Sequence, residues 1–144
     1  DSLQLYYYDK SNGNLRHAWA NATGWHFENL DGDSGSIARN SADVGINPSI
    51  TSFGDSLQLY YYDKSNGNLR HAWANATGWH FENLDGDSGS IARNSADVGI
   101  NPSITSFGDS LQLYYYDKSN GNLRHAWADS TGWHFKVPSG TIFY

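Results

Sequence analysis

Residues able to do chemistry stand in this chain three times over. Gln4, Arg16 and Trp25 recur as Gln58, Arg70 and Trp79, and again as Gln112, Arg124 and Trp133. An indole face beside guanidinium and amide groups suits a shallow cleft that holds its ligand by stacking and hydrogen bonds. His17 alternates onto the same strand face as Leu15 and Trp19, so it reads as a hydrogen-bonded core histidine and not a metal ligand. No His, Cys or carboxylate cluster has zinc-like spacing. Asn29-x-Asp31-x-Asp33-Ser34-Gly35 alternates oxygen donors as a calcium loop does. It lacks the glycine placement and distal Glu of an EF-hand, and reads as a polar loop. Asn21-Ala22-Thr23 and Asn75-Ala76-Thr77 have the form of glycosylation sequons, but they also make good turns.

An active site needs unlike groups converging once, with their pKa values driven apart. Identical repeats instead present the same residues at every position. The chain carries no nucleophile elbow, phosphate loop or fixed carboxylate pair. The expectation is a protein that binds and does not catalyse, with no cofactor and no metal.

The elements that must position these residues follow from the repeat itself. Asp1–Leu30 returns at Asp55 and at Asp109, a period of 54 residues. Residues 1–54 and 55–108 are identical, which implies recent duplication or engineering. The third copy, 109–144, is shortened and first departs at Asp129, Ser130 and Lys136. Within a copy, Ser2–Tyr8 alternates Leu3, Leu5 and Tyr7 against Gln4, Tyr6 and Tyr8, the period of a strand. Asp9–Asn14 is a turn that contains Asn12-Gly13, a strong hairpin signal. Leu15–Ala20 is a second strand, Asn21–Gly24 a tight turn, and Trp25–Leu30 a third strand. A polar connection, 31–46, leads to Asn47-Pro48 and a fourth strand over Ser49–Phe53. Trp19 is expected in the packed interior, and Arg16 is placed to pair with Glu28 across the strand pair.

Bulk properties narrow the class. Aromatics make up 15% of the 144 residues, with abundant Gly, Asn, Ser and Asp, a composition of strands and turns. A net charge of −6 argues against tracking nucleic-acid phosphates. No run is long and apolar enough for membrane insertion as a helix. There are no cysteines, so disulfides and thiol chemistry are absent.

Four short antiparallel strands per repeat, joined by hairpins and one long crossing, form the pattern of a β-propeller blade. The fold class is therefore all-β, with about three blades in one array spanning 1–144. The innermost strand of the first copy is missing, and 137–144 resembles that strand, with Thr141–Tyr144 as its core. It is placed to complete the first blade in its own chain or in a neighbour. Closed propellers have about four to eight blades, so three are expected to close by oligomerisation, a homodimer giving a six-bladed ring.

The stretch NPSITSFGDSLQLYYYDKSNGNLRHAWANATGWHFENLDG resembles the repeats of bacterial and fungal propeller lectins. The likeness is to the Photorhabdus-type seven-bladed lectins and, more distantly, to the Aleuria/Ralstonia-type fucose lectins. It rests on the Pro-Ser inner strand, an LxLY-like strand, the Asn/Gly turn, His-x-Trp and a Gly-Trp opening the outer strand. The resemblance implies a secreted or extracellular lectin with glycans as partners. It places the sugar-stacking tryptophan on Trp25, Trp79 and Trp133. Where the fucose lectins grip sugar with Arg and Glu, this chain has Gln4, Gln58 and Gln112, and Arg16, Arg70 and Arg124. The first expectation is a multivalent carbohydrate-binding propeller with sites between blades. The second is a structural, self-assembling propeller without a ligand.

Overall fold

A computed structural model describes residues 2–39, 43–92 and 97–138. Every regular element in them is a strand, gathered into three four-stranded sheets. The first sheet holds β1 (Leu3–Asp9), β2 (Asn14–Asn21), β3 (Gly24–Gly32) and a two-residue β4 (Ala38–Arg39) that pairs with β3 in parallel. The second holds β5 (Val44–Phe53), β6 (Ser56–Asp63), β7 (Asn68–Asn75) and β8 (Gly78–Asp85), in that order. The third holds β9 (Val98–Phe107), β10 (Ser110–Asp117), β11 (Asn122–Asp129) and β12 (Gly132–Lys136), again in sequence order. Apart from β4, neighbouring strands run antiparallel.

Turn chemistry sets the registers. Asp9 pairs with Asn14 across a four-residue loop. Its carboxylate accepts from the Ser11 amide at 3.0 Å and from the Asn12 side chain at 3.0 Å, and its carbonyl accepts from the Gly13 amide at 2.7 Å. Gly13 takes φ 74°, so Asn12-Gly13 closes the loop as its last two residues and is not a two-residue turn by itself. At the second turn, Asn21 pairs with Gly24, and the Asn21 side chain accepts from both the amide and hydroxyl of Thr23. The sequon residues are thus used as an Asx turn.

The fourth strand of the repeat is longer than the pattern Ser49–Phe53 suggests. It begins at Val44, whose amide donates to the Gly13 carbonyl of the first sheet at 2.8 Å. Its pairing with β6 is irregular between Val44 and Ser49, where Asn47 adopts φ 51°. That bulge hides the two-residue period in the sequence. The expected terminal strand over Thr141–Tyr144 lies outside the described residues, and Val137 and Pro138 belong to no strand.

Each sheet has two unlike faces, and the sheets stack front to back. The front face of the first sheet carries Leu3, Leu5, Tyr7, Arg16, Trp25 and Phe27. Its back face carries Gln4, Tyr6, Leu15, His17, Trp19 and Glu28. At the first seam Leu15 and Leu30 of the first sheet pack with Val44, Leu59, Tyr61 and Ala72 of the second, flanked by Tyr6, Trp79 and Phe81. The second seam repeats this with Tyr60, Leu69 and Leu84 of the second sheet against Val98, Leu113, Tyr115 and Ala126 of the third, flanked by Trp133 and Phe135. Burying each such large apolar side chain is worth roughly 1.5–3 kcal/mol, so the seams are the core. Close approach requires Gly45: at φ +93° a Cβ there would meet Leu15 Cα at 2.7 Å.

Candidate functional site

The alternation that builds the strands sends the predicted site residues to different faces. Arg70 and Trp79 lie on the front face of the second sheet, and Gln58 lies on its back. A seam therefore combines Gln4 from one sheet with Arg70 and Trp79 from the next, and the second seam combines Gln58 with Arg124 and Trp133.

The arginines are held deep in the seam. Arg70 Nε donates to Asp31 Oδ2 at 2.7 Å, and a terminal nitrogen donates to Asn83 Oδ1 at 2.7 Å. Tyr61 donates its hydroxyl to the same Asp31 oxygen at 2.6 Å. Arg124, Tyr115 and Asp85 repeat the arrangement at 2.8 and 2.6 Å. Burial would lower the Arg70 pKa, but Tyr61 and Asp31 outweigh it and keep the guanidinium charged. Burial pushes the Asp31 carboxyl up, opposed by Arg70 and the Tyr61 hydrogen bond. The expected pairing of Arg16 with Glu28 does not form. The two side chains leave opposite faces of the sheet, and Arg16 donates instead to Tyr7 and Asn29.

The glutamines serve a histidine. His17 lies 2.5 Å from Gln4 Oε1 through Nε2 and 2.7 Å from Glu28 Oε2 through Nδ1. His71 has the same partners, Gln58 at 2.6 Å and Glu82 at 2.7 Å. Burial holds the His71 pKa below its ordinary value, against the pull of Glu82. A neutral ring keeps both contacts when Nδ1 donates to Glu82 and the Gln58 amide turns its NH2 toward Nε2. In the third sheet His125 keeps Gln112 at 2.6 Å but faces Lys136, not a glutamate. Burial, and then Lys136, lower its pKa.

An aromatic ladder runs along the back face. Tyr6 stacks on His17 at 4.5 Å between centroids, His17 on Trp19 at 4.8 Å, and Trp19 on His26 at 5.2 Å. Trp19 is thus half-buried beneath two imidazoles and is not sealed in the interior. From the next sheet Trp79 meets Tyr6 and His17 edge-on, both at 5.9 Å. Trp133 meets Tyr60 and His71 in the same way, at 5.9 and 5.8 Å. Trp79 and Trp133 are half-buried, whereas Trp25 has none of the described sheets in front of it and is exposed.

Each seam therefore presents a half-exposed tryptophan and a half-exposed glutamate on either side of one buried histidine. Sequence reasoning reaches Trp79 and Gln4 but misses His17, Trp19 and Glu28 as members of the same cluster. The shared face of His17 and Trp19 is visible in the alternation. The cross-strand contact to Glu28 depends on the β2–β3 register, in which His17 faces Glu28. Asp31 and Asp85 read locally as parts of a polar loop. Their role comes from a contact 39 residues along the chain that no local pattern announces.

Among the described residues no group of three or more His, Cys, Asp or Glu is placed to hold a metal ion. Among the same residues no helix is long and apolar enough to cross a membrane. The chain matches no protein-family profile and no curated protein.

Proposed function

We propose that the three sheets are blades of a β-propeller and that the chain is a multivalent carbohydrate-binding, lectin-like protein. The observation that carries this reading is the convergence at both seams of an indole and a carboxylate on one histidine: Trp79 and Glu28 at His17, Trp133 and Glu82 at His71. A sugar offers an apolar C–H face to an indole and hydroxyl donors to a carboxylate. Glu28 and Glu82 each commit one oxygen to histidine and keep the other, and Gln4 and Gln58 border the same cluster. Arg70 and Arg124, held by Asp31 and Asp85, serve as the frame of the cleft. Two like sites on one rigid body would raise avidity by about 10²–10⁴ toward a surface with matching spacing.

The same engagement of the arginines and glutamines within the protein also favours a second reading, a self-assembling propeller without a ligand. Glycan-array binding followed by titration separates the two. The lectin reading expects binding that falls at least tenfold in the double variant Glu28→Gln, Glu82→Gln, which preserves the histidine contact and the fold. Trp79→Ala with Trp133→Ala should abolish it. No binding at millimolar sugar would leave the ligand-free reading standing, and binding indifferent to the glutamate changes would overturn the site at His17 and His71.

A further inference from the structure

The front face of the first sheet and the back face of the third are bare in this chain, although each is a surface that is covered elsewhere in it. Leu5 is 49% exposed and its counterpart Leu59 is 0%. Tyr114 and Leu123 are 41% and 52% exposed, while Tyr60 and Leu69 are both 0%. Trp25 and Phe27 are exposed as well, and with Leu5, Tyr7 and Ala18 they line an open apolar depression of about 300 Å³. Bare apolar surface of this extent marks an interaction site.

We infer that this chain docks head-to-tail with a second copy of itself. The back face of the third sheet in one copy seats on the front face of the first sheet in the other. The occupant follows from the internal seams, because the third sheet retains Tyr114, Tyr116, Leu123, His125 and Trp127, the same back face that packs twice within the chain. Carried over by one repeat, the internal geometry sets Trp25 edge-on to Tyr114 and His125 of the second copy, as Trp79 stands to Tyr6 and His17. The contact is heterologous and, used twice, closes a ring. Two copies bring six sheets, inside the roughly four to eight of closed propellers, whereas three would bring nine. The closure rests on the blade reading and is independent of sugar binding.

The closing seam is not a full copy of the others. The third repeat has Lys136 in place of Glu28 and no counterpart of Asp31 before Val137-Pro138. Arg16 therefore gains no carboxylate across it, and this seam opens before the internal ones.

Light scattering across a concentration series tests the inference. The expected species has twice the 16.0 kDa of one chain. Phe27→Glu should give a folded monomer with unchanged far-UV circular dichroism, since Phe27 is exposed and faces none of the described sheets of its own chain. Leu3→Glu provides the same readout if the first variant fails to fold. A folded wild-type monomer at every concentration, a larger or open-ended species, or a dimer untouched by both variants would overturn the closure. Phe81→Glu, at an internal seam, should lower the melting temperature. If it does not, the blade reading fails instead.

Discussion

Arg70 of the second sheet donates from Nε to Oδ2 of Asp31 in the first sheet at 2.7 Å, and the carboxylate side chain has no solvent exposure. The pair ties two sheets that share no backbone ladder. Removing one partner leaves a buried charge alone, which costs about 3–5 kcal/mol. Asp31→Ala, which also strips Tyr61 of its acceptor, should fall in that range by chemical denaturation. Arg16→Ala, whose arginine has only neutral partners among the described residues, should cost about 1–2 kcal/mol in the monomer. Equal losses would show that the ion pair is not what joins the seam.

Gly45 is fixed by both conformation and space. Gly45→Ala forces a Cβ to within 2.7 Å of the Leu15 backbone at φ +93°. A loss of at least about 2 kcal/mol is expected, with β5 pushed off the first sheet. Gly54 is the control, at φ +60° with open space within 4 Å of where a Cβ would stand. Gly54→Asn should stay within about 1 kcal/mol, because asparagine tolerates the left-handed region.

Stability should fall on mild acidification. The His71 pKa is held down by burial, so the unfolded chain takes up the proton first as pH drops below about 6.5. The contribution is whole above that value and is lost as pH falls toward the folded pKa. Asp31 and Asp85, raised by burial, act with the opposite sign nearer the carboxylate range. Melting temperatures at pH 7.5 and 5.5, compared with those of His71→Gln, isolate the histidine. An equal pH response in that variant would remove His71 as the cause.

Lys136→Glu should restore to the third sheet the carboxylate that the first two have. With the cation gone and an acceptor opposite Nδ1, the His125 pKa should rise by about one unit or more in an NMR titration. An unmoved titration would mean that β12 does not hold residue 136 against His125, contrary to their pairing.

Much of this is legible in the sequence because strands and hairpins are local. Alternation of Leu5 and Tyr7 against Tyr6 and Tyr8 sets the faces, and the Asp9 and Asn21 turns set the registers. The strand beginning at Val44 is not legible, since a bulge at Asn47 breaks the period that would reveal it. Among the site residues, Trp79 and Gln4 are visible as types suited to a cleft. Their meeting at His17 is not, because it joins side chains from different copies of the repeat.

By itself the sequence determined that the chain is all-β, that it repeats every 54 residues, and which residues share a face. Those properties follow from the two-residue period of the strand and from turn chemistry. Only the tertiary structure decided that identical residues lead different lives. Leu59 is sealed and Leu5 is bare; Arg70 meets Asp31, and Arg16 meets no acid among the described residues. The difference is purely one of neighbours, because a front face is buried only where another sheet stands before it.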